Sequence, residues 1–354
     1  MVRVAINGYG RIGRVAHRVI LQWHSADIEV VAINAGSSTD LKGWMYLLKY
    51  DSVYGPLSQE ITVVENTDTE KKDLLGSFVL GGKQIPVYSQ KDPTLLPWGQ
   101  LGVDVVIEST GHFTSEEKLK QHLTAGAKAA VLSAPVKEGE IGTYVLSVNQ
   151  QQYHGEKMIS NASCTTNCIT PVAKVVQDTF GIEKAMMTTV HGYTSDQRLQ
   201  DGGHKDYRRA RAAALNIIPT STGATIAAAK ALPALSGIFA GLSIRVPVPV
   251  GSLSDFTFLL KRDTTKEEIN SALKDAAAKP EFQGILGVTD EPLVSSDIIG
   301  NSHSSIVDLS LTQVVGGNMA KVIAWYDNEY GYANRLVEEV LLVASSGQPQ
   351  PPVQ

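Results

Sequence analysis

The chain has 354 residues, of which 43% are hydrophobic and 19% are charged, and its formal net charge is −5. These values are typical of a soluble globular protein long enough for two domains, and the acidic balance argues against a nucleic-acid partner. The sequence enters an apolar run at Val2 and has no stretch of about 18 apolar residues, so we expect no signal peptide and no membrane span. We therefore expect a cytoplasmic protein whose two cysteines stay reduced.

The first motif in the chain is a glycine-rich turn between a predicted strand and a predicted helix. An apolar run over residues 2–7 leads into Gly8-Tyr-Gly-Arg-Ile-Gly13, and an amphipathic helical pattern follows. In such a turn Gly8 permits the sharp bend, Gly10 lets the backbone approach a pyrophosphate, and Gly13 lets helix and strand pack closely. Together with a strand predicted over 28–34, this pattern predicts a dinucleotide-binding β-α-β unit.

Predicted strands and helices continue to alternate up to about residue 160, which indicates a doubly wound, Rossmann-type α/β domain. A buried parallel strand over 103–108 precedes a helix whose start carries a capping box from Thr114 to Glu117. Residues 57–88 differ, because two alternating segments flank Gly81-Gly-Lys83. That pattern is typical of a hairpin inserted into the sheet.

The segment Ser160-Asn-Ala-Ser-Cys-Thr-Thr-Asn-Cys168 contains both cysteines of the chain. Cys164 has polar neighbours and lies where a loop runs into a helix, a position whose dipole and free N–H groups lower the pKa of a thiol and favour a nucleophilic thiolate. Cys168 falls on the apolar side of that helix and is predicted to pack in the core. Most free cysteines are small buried residues, so a structural role remains the alternative for Cys164. No further cysteine or histidine nearby completes a metal-ligand cluster, so we expect no metal.

The second half of the chain has a different pattern. Pro171 predicts that the helix after Cys164 is kinked or starts late, and residues 192–224 form a polar loop whose length suggests a function. Alternating segments predict strands near 184–191, 238–248, 253–262, 304–314 and 319–327, and helical patterns cover 265–279 and 331–346. We expect a second, α+β domain with a mostly antiparallel sheet and helices on one side.

A reactive thiol in a chain with a dinucleotide site suggests aldehyde oxidation. A thiolate that adds to an aldehyde gives a hemithioacetal, which transfers a hydride to a nicotinamide and becomes a thioester. The reaction needs a base, and His191 is the best candidate among the eight histidines because it ends a strand-like run at the start of the polar loop. A structural role for this histidine remains the alternative.

Several motifs in a fixed order link the chain to a known family. Through them the chain resembles the phosphorylating glyceraldehyde-3-phosphate dehydrogenases over residues 2 to about 346. The motifs are Asn7-Gly-Tyr-Gly-Arg-Ile-Gly-Arg14, Ser109-Thr-Gly111, Ser133-Ala-Pro135, the cysteine segment 160–168, His191-Gly-Tyr-Thr-Ser-Asp-Gln197, Arg208-Arg-Ala-Arg-Ala-Ala213, Pro219-Thr-Ser-Thr-Gly223, Arg245-Val-Pro247 and Trp325-Tyr-Asp-Asn-Glu329.

The resemblance implies roles for individual residues. It makes Cys164 the nucleophile and His191 the residue that activates its thiol, while Thr194 and Arg245 hold the substrate phosphate. The residues implied for the attacking inorganic phosphate are Ser163, Thr165, Thr222 and Gly223. The cofactor candidates for NAD or NADP are Gly8, Gly10 and Gly13 of the glycine-rich turn, the residues Arg11, Ile12, Thr110, Ser133 and Asn328 that the resemblance adds, and Ala35 and Lys91, which are considered below.

The residue patterns and the resemblance together predict the organisation of the chain and its partners. We expect a dinucleotide-binding domain over 1–163, a catalytic domain over 164–327, a C-terminal helix over 328–346 that returns to the first domain, and a disordered Gln/Pro-rich tail over 347–354. The implied protein is a homotetramer of glucose metabolism. Its partners are a phosphorylated aldehyde and inorganic phosphate, with no nucleic acid and no membrane.

Two departures from the family pattern concern the cofactor. Members that prefer NAD usually carry an aspartate after the second strand, where this chain has Ala35, and many have Leu-Pro where this chain has Gly202-Gly203. Lys91 lies where relatives that use NADP often have an arginine. The preference between NAD and NADP therefore stays open. Two other functions also stay open, an erythrose-4-phosphate dehydrogenase and a nucleotide-binding interaction protein without catalysis.

Overall fold

The structure is a computed structural model that describes residues 1–345. Within this range the chain packs as two compact units. The first unit comprises Met1–Thr143, Gln152–Asn161 and the described residues from Ala333, and the second comprises Tyr144–Gln151 and Ala162–Tyr332. The tail expected over 347–354 lies outside the described residues, and the predicted domain boundaries stay a prediction.

The first unit is built on a nine-stranded sheet and a separate two-stranded pair. Its strands are β1 (Val2–Asn7), β2 (Ile28–Asn34), β3 (Tyr50–Asp51), β4 (Gly55–Pro56), β5 (Ile61–Glu65), β6 (Leu74–Leu80), β7 (Lys83–Tyr88), β8 (Val105–Glu108), β9 (Ala129–Leu132), β10 (Gly142–Thr143) and β11 (Met158–Ser160). The large sheet has the order β10-β11-β9-β8-β1-β2-β7-β6-β5, and β3 pairs with β4. Neighbouring strands run parallel from β10 to β7 and antiparallel from β7 to β5.

This topology confirms the predicted α/β class and indicates where a ligand would bind in the first unit. Strand β1 lies between β2 on one side and β8 on the other. The chain therefore reverses its direction across the sheet at β1, and ligands of such sheets bind beyond the carboxyl ends of the strands at that switch point. The predicted hairpin is also confirmed, because β6 and β7 meet at Gly81 and Gly82, whose φ angles of 54° and 78° suit the two-residue turn that glycine favours.

The helices of the described residues are α1 (Arg11–Trp23), α2 (Leu41–Lys49), α3 (Glu116–Thr124), α4 (Cys164–Phe180), α5 (Ala224–Ala231), α6 (Lys266–Ala277) and α7 (Tyr330–Ala344). Short 3-10 turns lie at Pro93–Leu95, Gln150–Gln152, Ala213–Leu215, Pro233–Leu235, Pro280–Phe282, Ser295–Ile298 and Leu309–Leu311. In residues 1–345 no helix combines the length and the apolar character that crossing a bilayer requires.

The second unit has an eight-stranded, mostly antiparallel sheet. Its strands are β12 (Ile182–Gly192), β13 (Ile218–Ser221), β14 (Phe239–Val246), β15 (Ser252–Leu260), β16 (Leu286–Thr289), β17 (Ser305–Asp308), β18 (Gln313–Val315) and β19 (Met319–Tyr326). They follow the order β13-β14-β12-β15-β19-β17-β16, with β18 paired to β19. Two neighbouring pairs are parallel, β12 with β14 and β16 with β17.

One face of this sheet is covered by helices and forms the core. Side chains on β12 alternate, so that Met187 is 2% exposed while Met186 is 67% exposed. The buried face packs against residues of α4, α5 and α6, including Val172, Ala228 and Leu273. The prediction of helices on one side of a mostly antiparallel sheet is confirmed.

Of the two alternatives that Pro171 left open for helix α4, the late start is excluded, since the helix begins at Cys164 with Pro171 well inside it. Two other predicted details are wrong. Helix α3 is capped by Ser115, whose hydroxyl accepts from the Lys118 amide, and not by Thr114. The strand predicted over 304–314 is interrupted by a 3-10 turn between β17 and β18. Strand β13 and helix α5 were not predicted. Helix α5 reads Ala-Thr-Ile-Ala-Ala-Ala-Lys-Ala, so its buried and exposed faces differ little in hydrophobicity.

Candidate active site

The start of helix α4 presents Cys164. The Ser163 hydroxyl caps this helix by accepting from the Thr166 amide at 3.1 Å. The preceding Ala162 has a φ of 53°, in the left-handed region that side chains other than glycine rarely adopt. Its carbonyl accepts from the Tyr332 hydroxyl at 3.2 Å, and its side chain is fully buried. The capping residue Ser163 and the constrained residue Ala162 before it therefore fix where the chain enters α4.

Cys164 and His191 are in contact, with 3.4 Å between Sγ and Nε2. His191 lies near the end of β12, and the parallel register of β12 with β14 pairs it directly with Arg245. Paired residues of adjacent strands point to the same side of a sheet, which explains why these two side chains meet. The structure thus brings together a thiol, an imidazole and a guanidinium from three different elements.

The second ring nitrogen of His191 is held by two neighbours. Nδ1 lies 2.6 Å from the carbonyl oxygen of Gly192 and 2.7 Å from Nη1 of Arg245. The same Nη1 donates to the Gly192 carbonyl at 3.1 Å. Burial, together with the positive charge of Arg245, lowers the pKa of His191 to about 3. The imidazole is therefore neutral at physiological pH, the state in which it can act as a base.

The two thiols have different surroundings, as expected, but the predicted pKa shift of Cys164 is wrong. Burial raises the pKa of Cys164, and the positive charge of Arg245 opposes this rise only in part. Cys168 is fully buried in the core of the second unit, where burial raises its pKa to about 12. Its role in packing is confirmed. Cys164 needs a base to remove its proton, and the imidazole of His191 is in contact with it.

The residues expected to hold inorganic phosphate lie at the starts of α4 and α5. The Thr166 hydroxyl, next to the Ser163 cap, reaches the Ala224 carbonyl at 3.5 Å and so connects the two helix starts. The Thr222 hydroxyl accepts from the Ala224 amide at 3.2 Å, and Gly223 is exposed at the start of α5. Two helix N-termini that lie together offer N–H groups to an anion.

Two other residues expected to bind phosphate are arranged differently. The Thr165 hydroxyl lies 2.9 Å from the Tyr326 hydroxyl, in a buried contact. This residue can therefore offer an anion its backbone N–H rather than its side chain. Thr194 lies half-buried in the turn after β12, with its amide donating to Gln197 Oε1 at 3.2 Å.

The glycine-rich turn of the first unit has the geometry that a dinucleotide needs. Gly8 has a φ of 93°, and a Cβ there would lie 2.5 Å from the Thr110 nitrogen. A Cβ at Gly13 would lie 2.2 Å from the Gly8 carbonyl oxygen. Gly10 differs, because a Cβ there would project into open space at the start of α1, which carries no side-chain cap and no acidic residue in its first turn. This open helix start fits a pyrophosphate.

A buried carboxylate connects the end of β1 with the loop that follows β8. Glu108, fully buried at the end of β8, accepts from Asn7 Nδ2 at 2.5 Å and from the Thr110 amide at 2.8 Å. His122 Nε2 lies 2.9 Å from the same carboxylate. Ser133 follows β9 directly, and its amide donates to the Glu108 carbonyl at 2.9 Å. Thr110 and Ser133 are therefore both anchored to the end of β8.

The remaining cofactor candidates lie around α1 and after β2. Arg11 forms an ion pair with Asp51 and lies over the ring of Tyr54, and Ile12 is half-buried beside it in the first turn of α1. Ala35 is half-buried, and its amide donates to the Tyr88 carbonyl at 2.8 Å. No acidic side chain takes the position of Ala35 directly after β2.

Comparison with known proteins agrees with the resemblance seen in the sequence motifs. The sequence model described as the NAD binding domain of glyceraldehyde 3-phosphate dehydrogenase matches residues 2–116, and that of the C-terminal domain matches residues 163–328. The glyceraldehyde-3-phosphate dehydrogenase of Mycobacterium avium is 51% identical over 350 residues, which cover 98% of this chain and 99% of that protein. The enzyme of Streptomyces coelicolor is 49% identical over 346 residues, which cover 97% of this chain and 99% of that protein.

The chain belongs to the glyceraldehyde-3-phosphate dehydrogenase family. The predicted family is therefore confirmed, and with it an oxidoreductase that uses a nicotinamide dinucleotide. The open start of α1 and the close contacts at Gly8 and Gly13 fit that cofactor on structural grounds.

Two residues that support this glyceraldehyde-3-phosphate dehydrogenase site were missed in the sequence. Ser252 donates to Asn328 Oδ1 at 2.8 Å and accepts from the Gly192 amide at 3.2 Å, so it links Asn328 to the strand of His191. Tyr326 is buried beneath the site, with its hydroxyl 2.7 Å from Thr189 and 2.9 Å from Thr165. Tyr326 belongs to a motif that carried the resemblance, whereas Ser252 had no sequence signal.

Proposed function

We propose that the chain catalyses the reversible oxidation of glyceraldehyde 3-phosphate with NAD(P)+ and inorganic phosphate, giving 1,3-bisphosphoglycerate and NAD(P)H. The observation that carries this proposal is the contact between Cys164 Sγ and the neutral imidazole of His191 at 3.4 Å. A thiol with a raised pKa beside a neutral base can be deprotonated as it attacks a carbonyl carbon. The relatives in Mycobacterium avium and Streptomyces coelicolor carry the corresponding enzyme name.

In the first half of the proposed reaction, Cys164 forms the carbon–sulfur bond and His191 handles the proton. As Sγ adds to the aldehyde carbon, Nε2 takes the thiol proton and passes it to the new hemithioacetal oxygen, which the Cys164 N–H at the start of α4 also stabilises. When bound, the nicotinamide supplies the acceptor for the hydride that this carbon loses. His191 removes the proton of the hemithioacetal hydroxyl as the carbonyl of the thioester forms.

In the second half, an oxygen of inorganic phosphate attacks the thioester carbon and the Cys164 thiolate leaves. We propose that Ser163, Thr222 and Gly223 hold this phosphate at the starts of α4 and α5, with Thr165 contributing its backbone N–H. Thr194 and Arg245 hold the phosphate of the substrate, because a guanidinium and hydroxyl donors suit a dianion. The leaving thiolate regains its proton through His191.

The cofactor is held in this proposal by residues of the glycine-rich turn and of the loops near it. Gly8, Gly10, Arg11, Ile12 and Gly13 bind the pyrophosphate side, and Ala35 and Lys91 adjoin the adenosine ribose. Thr110 and Ser133 line the rest of the cofactor, and Asn328 binds the nicotinamide carboxamide. We further propose a cytoplasmic homotetramer of glucose metabolism, with a dinucleotide-binding domain over 1–163, a catalytic domain over 164–327 and a C-terminal helix over 328–346 that returns to the first.

One steady-state assay tests these statements together. It measures NAD(P)H formation from glyceraldehyde 3-phosphate with and without inorganic phosphate, using each cofactor in turn, and repeats the series with erythrose 4-phosphate. We expect turnover that requires phosphate and prefers the three-carbon substrate. A preference for erythrose 4-phosphate would assign the alternative dehydrogenase. Cofactor binding without any turnover, unaffected by alkylation of one thiol per chain, would assign a binding protein.

A further inference from the structure

The buried carboxylate of Glu108, in the first unit, is shared by three other residues. Its Oε1 accepts from the amide and from the hydroxyl of Thr110. Its Oε2 accepts from Asn7 Nδ2 at 2.5 Å and faces His122 Nε2 at 2.9 Å. Each oxygen thus has two partners, and the direction of these hydrogen bonds follows from groups that can only donate or only accept.

The hydrogen of the His122 ring is fixed by Trp98. An indole N–H can only donate a hydrogen bond, and Nε1 of Trp98 lies 3.2 Å from His122 Nδ1, with both residues fully buried. Nδ1 must therefore present its lone pair, and the ring carries its hydrogen on Nε2. That hydrogen points at Glu108, so Oε2 has to be an acceptor.

The orientation of Asn7 is fixed by the backbone of Gln90. The Gln90 amide donates to Asn34 Oδ1 at 3.0 Å and the Gln90 carbonyl accepts from Asn34 Nδ2 at 2.8 Å, so the Asn34 amide cannot be turned round. Asn34 Nδ2 also donates to Asn7 Oδ1 at 2.7 Å, which leaves Asn7 Nδ2 to donate to Glu108. Asn7 Nδ2 and His122 Nε2 lie 3.5 Å apart, as two donors to one oxygen do.

The other oxygen of Glu108 has a partner that is equally fixed, because the Thr110 backbone N–H at 2.8 Å can only donate. An amide at position 108 would turn its NH2 group toward donors in either orientation. Position 108 therefore requires a carboxylate, and a neutral side chain of the same size cannot replace it. The residues involved form the Glu108 network, which comprises Asn7, Asn34, Gln90, Trp98, Glu108, Thr110 and His122.

The Glu108 network lies next to the segments expected to bind the dinucleotide. Three of its members directly precede an expected cofactor residue, namely Asn7 before Gly8, Asn34 before Ala35 and Gln90 before Lys91. Thr110 is itself an expected cofactor residue. Strands β1, β2 and β8 end at Asn7, Asn34 and Glu108, so these hydrogen bonds run across the carboxyl edge of the sheet, where its ligands bind.

We propose that Glu108 is a positioning residue for the dinucleotide: its buried carboxylate holds the segments at Gly8, Ala35, Lys91 and Thr110 in one arrangement before the cofactor arrives. The inference rests on the proposed contacts of those segments with the cofactor. In Glu108→Gln the donors that lose their acceptor turn toward water, and cofactor binding has to bury them again without a partner. Cofactor affinity therefore falls.

Calorimetric titration with NAD and with NADP tests this role without any turnover. We expect Glu108→Gln to raise the Kd of the cofactor by about tenfold or more, the effect of one buried donor left unpaired. The matched control is Asp104→Asn, since Asp104 directly precedes the same strand and also accepts a backbone amide, that of Arg3 at 2.8 Å. This control should leave the Kd unchanged.

A combined variant moves the charge across the contact between Asn7 and Glu108. Asn7→Asp alone places two carboxylates against each other and should also weaken binding. When Asn7→Asp is combined with Glu108→Gln, the carboxylate at position 7 accepts from Asn34 and from the new amide, and His122 Nε2 lies 3.5 Å from the atom it replaces. Much of the lost affinity should return, whereas a mere packing role would make the two losses additive.

The rate at which iodoacetamide labels Cys164 without cofactor separates a local effect from a general one. Cys164 lies in the second unit, so Glu108→Gln should leave this rate as in wild type. A changed rate would assign Glu108 to the stability of the chain and overturn the inference. The measurement requires no dehydrogenase activity, so failure of the assay with glyceraldehyde 3-phosphate is a separate result.

Two further results would overturn the inference. One is an unchanged Kd in Glu108→Gln, and the other is a combined variant that binds the cofactor no better than Glu108→Gln does. If Glu108→Gln does not fold, the combined variant decides alone. It then has to fold and bind the cofactor, because its donors again have acceptors, and its failure to do so would contradict the proposal.

Discussion

Cys164 Sγ and His191 Nε2 lie 3.4 Å apart, although the two residues are separated by 27 positions in the chain. Cys164 begins α4 and His191 lies near the end of β12, so the contact depends on how that helix packs against the sheet of the second unit. The free energy that holds the pair in place comes from the apolar core around α4, not from the pair itself.

The first prediction separates the two cysteines. Cys164→Ser should bind cofactor with unchanged affinity but lose nearly all turnover, because a serine hydroxyl is a far weaker nucleophile than a thiolate. Cys168→Ser is the matched control and should retain most activity. Steady-state rates and cofactor titrations measure both effects. Comparable rates in the two variants would show that Cys164 is not the nucleophile.

The second prediction concerns the base. His191→Asn should lower kcat by roughly a hundredfold or more, since the raised pKa of Cys164 leaves its thiol protonated without a base. The rate of reaction of Cys164 with iodoacetamide should fall at neutral pH and recover as the pH rises toward the pKa of the thiol. Cofactor affinity should stay the same. A pH profile of alkylation identical to that of wild type would rule out the pairing.

The third prediction concerns substrate recognition by Arg245. Arg245→Ala should reduce kcat/KM for glyceraldehyde 3-phosphate far more than for unphosphorylated glyceraldehyde, because only the former has a dianion to bind. The control is Arg262→Ala, at an exposed arginine of the second unit that pairs with Glu268, and it should reduce neither value. Equal losses on both aldehydes would assign Arg245 a purely structural role.

The fourth prediction is that NADP is accepted at least as readily as NAD. An acid at position 35 would bind the ribose 2′-hydroxyl and repel a 2′-phosphate, and Ala35 does neither. Asn34, which precedes Ala35, holds the backbone of Gln90, which precedes Lys91, through bonds of 3.0 and 2.8 Å, and Lys91 is exposed. Ala35→Asp should shift the ratio of catalytic efficiencies toward NAD by about tenfold or more.

Ala35→Ser is the control for this substitution, because it adds a polar group without a charge and should change the ratio little. The ratio is measured from steady-state efficiencies with each cofactor in all three proteins. A wild-type preference for NAD of about a hundredfold, unchanged in Ala35→Asp, would contradict the prediction.

The fifth prediction concerns acid stability and His17. This residue is fully buried, and burial lowers its pKa to about 3 from an ordinary value of 6.5. Between pH 6.5 and pH 3 the unfolded chain binds a proton at His17 that the folded chain does not, so the free energy of unfolding falls as the pH falls. His17→Gln removes this effect and keeps an acceptor for the Tyr9 hydroxyl, which lies 2.6 Å from Nδ1.

Denaturant titrations at pH 7 and pH 5 measure the change. We expect the free energy of unfolding to fall between pH 7 and pH 5 by about 2 kcal/mol less in His17→Gln than in wild type. An equal loss in both proteins would mean that His17 becomes protonated in the folded chain.

The sequence predicted those features that local geometry imposes. The turn at Gly8, Gly10 and Gly13 was predictable because its glycine spacing is a local pattern between a strand and a helix. The φ of 93° at Gly8 and the close approach of Gly13 to the Gly8 carbonyl oxygen arise within that pattern. The hairpin at Gly81 and Gly82 was predictable for the same reason. Both signals lie within about a dozen residues and need no knowledge of the tertiary fold.

Features that depend on strand register could not be predicted from local pattern. His191 meets Arg245 because β12 and β14 run parallel in one particular register, and the two residues are 54 positions apart. The lowered pKa expected for Cys164 was wrong because the start of α4 is more buried than its polar neighbours suggested, and burial outweighs the favourable charge of Arg245. The Thr165 hydroxyl likewise meets Tyr326, a residue 161 positions away.

The burial of Cys168 has a consequence for following the motions of this protein. Its Sγ is enclosed by the hydroxyls of Ser254 and Ser305 at 3.8 and 3.7 Å, and no part of the residue is exposed. A thiol reagent can reach it only when α4 separates transiently from the sheet. In Cys164→Ser it is the sole remaining thiol. The rate at which Cys168 is labelled in that variant therefore measures the free energy of opening of this core under native conditions, in the way that amide exchange does for backbone hydrogen bonds.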